Sequence, residues 1–232
     1  MPSGETSADV TRLFETGAHF AQVKSRRHPS MRPFLIGTKG RQEIIDLAQT
    51  SVQLAAAKAA MATLAKEGKT ALFVGGKTEI ASIVRAAAER IGAPFVASRW
   101  LGGTISNWVE IKKRVERLAQ LSEDRISGAL AKQHTKLELV LLEREEKRLA
   151  ERLGGLTSLT KRPDALVVVD TKREHHAVKE ANDAGVPVIA IMSSDCDLSV
   201  AAYPVVANDA SRETVKMILG ELTGAFEAGR AG

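Results

Sequence analysis

Two apolar runs, Asp164–Val169 (DALVVV) and Val186–Met192 (VPVIAIM), constrain this chain more than any other feature. Each has the length of a strand buried on both faces, and both are rich in the β-branched residues that suit a pleat. A helical stretch, Glu174–Ala184, lies between them. Antiparallel strands need only a tight turn, so a helix-length connection implies a parallel pair with a right-handed crossover. The rhythm also runs upstream. Thr70–Val74 (TALFV) is strand-like, Gly75-Gly76 breaks it, Lys77–Ile91 is helical and ends at Gly92, and Pro94–Ser98 is strand-like again. Glu43–Leu47 (EIIDL) reads as a short strand. Thr50–Glu67 reads as an amphipathic helix with Leu54, Ala57, Met61 and Leu64 on one stripe. Tyr203–Val206 suits a short edge strand and Asp209–Ala228 a closing helix. The pattern predicts an α/β three-layer sandwich around a parallel sheet.

One connection is too long for a simple crossover. About 65 residues separate the third and fourth of these strands, and Thr104–Leu153 is almost purely helical. Trp108, Ile111, Val115 and Leu118 step by three, four and three, the spacing of a coiled-coil seam. Ser127-Gly128 supplies a turn, and Leu130–Leu153 carries Leu137, Leu141 or Leu142, Leu149 and Leu153 among charges of both signs. Two helices joined this way predict an antiparallel hairpin inserted at 104–153, with Thr104 capping its first helix. The remainder, 1–103 with 154–232, is then the globular domain. Its residues 1–12 read as a loose polar leader and 13–41 as an irregular, surface-hugging segment broken by Pro29, Pro33, Gly37 and Gly40.

Several chemistries are excluded or weakened by residue type alone. The one cysteine, Cys196, allows neither a disulfide framework nor a cysteine-based zinc site. No apolar run reaches the roughly 18 residues that span a bilayer. The first residues, MPSGETSADV, have neither a signal-peptide core nor the basic character of a transit peptide, which points to the cytoplasm rather than an organelle. Val74-Gly75-Gly76-Lys77-Thr78 resembles the end of a phosphate-binding loop, but the spacing needs glycine where Ala71 stands, so a tight strand-to-helix turn explains it better. A phosphosugar- or nucleotide-binding enzyme built on Gly75–Thr78 is the alternative reading. His175-His176 near Asp170 point about 100° apart on a helix and do not chelate one metal easily. Asp195, Asp197 and Asp209 could gather at one sheet edge and hold a hard cation, although capping and turn roles explain them better. No catalytic residues, metal ligands or cofactor are assigned.

The chain carries 33 Lys+Arg against 28 Asp+Glu, a net charge of +5. That excess is mild until it is located. His19–Arg41 holds Lys24, Arg26, Arg27, Arg32, Lys39 and Arg41, contains no acid, and interleaves His19, Phe20, His28 and Phe34. Arginine forks and lysine charges match phosphates, and aromatic faces stack on bases, so the segment predicts RNA binding. Arg99-Trp100-Leu101-Gly102-Gly103-Thr104 leaves the third of the parallel strands; Trp100 there suits either a base stack or the core.

These motifs, in their order and spacing from about residue 12 to 222, resemble the bacterial-type small-subunit ribosomal protein two family. The matching stretches are GAHF at 17–20, IIDL at 44–47, LFVG at 72–75, RWLGGTISN at 99–107, LGGL at 153–156, PDAL at 163–166 and VPVIA at 186–190. The resemblance implies a flavodoxin-like sheet with an inserted coiled-coil hairpin and a structural, non-enzymatic role. It further implies binding to small-subunit ribosomal RNA where head meets body. Contacts with other small-subunit proteins are implied too, among them docking of the large tandem-OB-fold ribosomal protein. Carried onto this chain, its RNA-facing residues are His19, Arg26, Arg32 and Arg99, with Trp100 structural. The chain departs from the family at Ala21-Gln22-Val23, at Arg27-His28 and at Ala207, and the first two changes fall in the RNA-facing segment.

Overall fold

The computed structural model describes residues 4–128 and 135–231, with side chains from Asp9 onward. In chain order the elements are α1 (Gly4–Glu15), β1 (Phe20–Val23), β2 (Leu35–Lys39), β3 (Gln42–Ile45), α2 (Leu47–Lys66), β4 (Ala71–Val74), α3 (Thr78–Ile91), β5 (Phe95–Val96), α4 (Trp108–Ile126), α5 (Lys136–Leu153), β6 (Ala165–Val169), α6 (His175–Asp183), β7 (Val188–Met192), β8 (Tyr203–Val206) and α7 (Arg212–Ala231).

β4 to β8 form one sheet in the order β5-β4-β6-β7-β8, and every pair is parallel. The first strand therefore lies inside the second, which is the flavodoxin-like winding. Period two decides the layers. Phe73, Val167, Val169, Ile189 and Ile191 point into one core with α1, α2, α3 and α7. Leu72, Val74, Leu166, Val168, Val188 and Ala190 point into the other, with Ala177, Val178 and Ala181 of α6 and with Trp100, Ile105, Ile111 and Val115. Both faces are covered, as an all-parallel sheet requires.

The amino-terminal third departs from expectation. The leader contains a helix, α1, because Leu13 is fully buried in the first core and Arg12 pairs with Glu221 at 2.9 Å. The segment 13–41 is not irregular throughout: β1 and β2 flank β3 in a separate antiparallel sheet, order β1-β3-β2. The strand read at Glu43–Leu47 thus belongs to this small sheet and stops at Asp46, whose carboxylate accepts from the Ala48 N–H at 3.0 Å and caps α2. The segment is fastened across the ends of β7 and β8. The His28 N–H donates to the Ser194 carbonyl at 2.8 Å, Gln22 N–H to Ser194 Oγ at 3.1 Å, and Asn208 N–H to the Ala18 carbonyl at 3.0 Å.

α4 and α5 pack against each other in opposite directions, with Ser122 and Arg125 late in α4 meeting Glu146 in α5. α4 begins at Trp108, not Thr104, because Thr104 Oγ1 donates to the Leu101 carbonyl at 2.6 Å and stays in the preceding turn. On α4 the seam is Ile111, Val115, Leu118 and Leu121, with Trp108 only half-buried. On α5, Leu142 and Leu149 are half-buried and Leu153 is buried, whereas Leu137 and Leu141 are exposed. The predicted start of this helix at Leu130 lies outside the described residues; α5 is capped at Thr135, whose hydroxyl and Glu138 form a capping box.

Candidate nucleic-acid interface

Strand register gathers the predicted basic residues. Val23 in β1 and Lys39 in β2 both stand opposite Gln42 in the central strand β3. Lys24, Lys39 and Arg41 therefore meet at one end of the small sheet, with Arg26 in the short helical turn that follows β1. All four are exposed, as is Arg32 in the turn Pro29–Phe34, and none of the five has an acidic partner among the described residues. Arg27 differs. Its guanidinium bonds Glu43 Oε1 at 2.9 Å, and Glu43 is only 2% exposed, so Arg27 is a structural counter-charge. The window without acids misled here because its neutralising carboxylate lies two residues beyond it.

His19 is a poor cation in this surface. Burial and the nearby Lys39 ammonium lower its pKa from the ordinary 6.5. Its ring is stacked on Phe14, centroids 4.4 Å apart and 11° from parallel, and tilted against Phe20 at 4.1 Å. Phe14 is 60% exposed, so the stack ends in an open aromatic face.

Arg99 is exposed but follows β5, the sheet edge opposite β8, and so stands apart from the basic end of the small sheet. Trp100 is buried at 7% exposure and its indole N–H donates to Glu180 Oε1 at 3.2 Å, so its ring belongs to the core and offers no face to a base. The same carboxylate accepts from the N–H of Gly103 at 2.7 Å and of Ile105 at 3.1 Å. Glu180 is the residue around which the Arg99–Asn107 loop is folded. The available clue is that this loop has several backbone donors and no acid of its own, so an acceptor must come from elsewhere. At the return of the hairpin, a side chain at Gly155 would collide with the Phe95 carbonyl, which accounts for the glycine at that position.

In a doubly wound sheet a ligand crevice opens where strand order reverses, here between the ends of β4 and β6. That crevice is filled by the protein itself. Lys77 Nζ lies 2.7 Å from Asp170 Oδ2 and 3.3 Å from Asp209 Oδ1. Burial alone would lower the Lys77 pKa, but Asp209 and Asp170 raise it. Burial pushes Asp209 up to about 7 and the Cys196 thiol up to about 11. The Gly76 N–H, which a phosphate would need, donates to Glu174 at 3.0 Å, and a side chain at Gly76 would strike the Ser98 carbonyl. Asp170, Cys196 and Asp209 do converge, each with a ligand atom within 4.8 Å of the others, and the cation facing the two aspartates is Lys77. Asp195 instead pairs with Lys172, and Asp197 caps Ser199. His175 and His176 stack on each other at 3.9 Å. The alternative nucleotide-enzyme reading thus finds its lysine and its amide already used.

Comparison with known proteins gives one consistent result. The family described as Ribosomal protein S2 matches residues 13–229. The chain is 38% identical over 223 residues to the small ribosomal subunit protein uS2 of Picosynechococcus sp., covering 96% of this chain and 87% of that protein. It is 39% identical to uS2c of Rhodomonas salina, covering 96% and 91%, and 37% identical to uS2 of Synechococcus elongatus, covering 96% and 88%.

Proposed function

The chain belongs to the ribosomal protein S2 family, and from that premise we propose that ribosomal RNA holds it through the basic end of its small antiparallel sheet. It is a structural, non-enzymatic protein of the small ribosomal subunit. The observation that carries the RNA reading is the convergence of Lys24, Arg26, Lys39 and Arg41, all exposed and unpaired among the described residues. Phosphates neutralise such groups without the desolvation cost of a buried pair, and released counterions drive the association. Arg32 adds a contact from the neighbouring turn, Arg99 a separate one on the β5 side, and the Phe14–His19 stack offers a platform for an unpaired base.

The reading extends to position and partners. The globular domain, 1–103 with 154–232, sits at the junction of head and body in the cytoplasmic ribosome, the 104–153 hairpin is an inserted unit, and the protein helps dock the tandem-OB-fold ribosomal protein. The family resemblance supports these points. The test is filter binding of the full chain to deproteinised small-subunit ribosomal RNA across a salt series. Log affinity should fall steeply with log salt. Replacing Lys24, Arg26, Lys39 and Arg41 together by Gln should weaken low-salt binding on the order of a hundredfold and flatten the slope by roughly three. A variant that keeps the wild-type slope would sink this interface.

A further inference from the structure

Four ion pairs run along or across the hairpin helices: Lys113 with Glu110, Lys112 with Glu116, Arg117 with Glu145 and Arg125 with Glu146. One groove concentrates charge of a single sign. At the hairpin root, Arg114 and Arg117 of α4 and Arg148 and Arg152 of α5 line a single groove of about 330 Å³. Spacings of three on one helix and four on the other put each pair on one helix face, and antiparallel packing turns both faces toward the groove. Glu145 is the one acid in its lining, and it is taken by Arg117 at 3.5 Å. Arg114, Arg148 and Arg152 are exposed and have no acidic partner among the described residues. The floor is Leu101, Leu149 and Leu153, so nothing there neutralises the guanidiniums from below.

We infer that this arginine groove is a second RNA contact, one that grips the phosphate backbone; the inference rests on the ribosomal reading above. Three more guanidiniums than carboxylates in one groove repel each other unless an external anion enters it. Arginine forks match phosphate oxygens in bidentate fashion, and a groove of fixed, helix-borne arginines presents several forks to successive phosphates. Arg152 also lines the neighbouring cleft, where Arg85 stands with Glu89 and Glu151, so the unbalanced positive charge is concentrated in the groove itself.

The experiment uses the full chain and deproteinised small-subunit RNA, comparing Arg148→Gln/Arg152→Gln with Arg148→Lys/Arg152→Lys over a salt series, each checked for a wild-type Tm. Neither arginine is buried, so both variants should fold. The Gln pair should lower the salt slope by between one and two and weaken low-salt binding about tenfold or more. The Lys pair should retain the slope. A folded Gln pair with the wild-type slope overturns the groove while leaving the amino-terminal interface standing. Loss of binding to protein-containing subunits that lack this chain, with RNA binding unchanged, also overturns it, because the groove would then take an acidic protein. Wild-type chain that shows no salt-dependent RNA binding overturns the parent reading instead.

Discussion

Asp209 is 2% exposed and faces Lys77, yet its carboxyl keeps its proton up to about pH 7 in the fold, against an ordinary value of 3.8. Between those values the folded chain binds more protons than the unfolded chain, so this residue makes stability fall as pH rises from about 4 to 7. Asp209→Asn should flatten that fall by on the order of a few kcal/mol, as urea denaturation at pH 5 and pH 8 would measure. Asp170 remains to face Lys77 in the variant. Arg27 poses the opposite question, since it looks like an RNA contact in the sequence and serves Glu43 in the structure. Glu43 Oε2 has no partner among the described residues, so Arg27→Ala would leave a buried carboxylate with no counter-charge. Stability should drop by about 1–3 kcal/mol while the salt slope of RNA binding stays unchanged. A slope that falls as much as it does for Arg41→Ala would return Arg27 to the interface.

At the scale of elements, the loop between β5 and α4 depends on a side chain 80 positions from Trp100. Glu180→Ala should cost about 2–3 kcal/mol and speed amide exchange at Gly103 and Ile105, the two N–H groups that lose a close acceptor. Exchange rates equal to wild type would show that the loop holds itself. Periodicity could not reveal this clamp, because Glu180 has the spacing of an ordinary solvated helix residue. Periodicity did reveal α4, since Ile111, Val115 and Leu118 are buried where three-four spacing put them. It failed on the first half of α5, where Leu137 is 72% exposed. Apolar residues mark a face only when something covers it, and α4 covers α5 from Leu142 onward.

For the whole molecule, the parallel sheet and its three layers were legible because the strands are apolar on both faces and separated by helix-length connections. The small antiparallel sheet was not, because β2 is exposed along nearly its whole length and its neighbours are four-residue strands among prolines and glycines. Nor was the placement of the basic residues, since register and strand order lie outside what spacing encodes. The result is two basic surfaces on opposite sides of the sheet. One is fastened at the ends of β7 and β8, the other leaves from β5, and three or four strand spacings between them make roughly 14–19 Å. Sites that far apart act independently, so combining the four amino-terminal substitutions with the Gln pair should add their losses in slope. A combined loss no larger than one alone would mean that both surfaces answer to the same phosphates. The bonds from Gln22 and His28 to Ser194, and from Asn208 to Ala18, have a temporal consequence. They close loops of more than 160 residues, the slowest kind of contact to form and one that cannot exist until nearly the whole chain has been made. The amino-terminal surface, early in the chain, is therefore among the last to be fastened to the parallel sheet, and until then its register rests on β1, β2 and β3 alone.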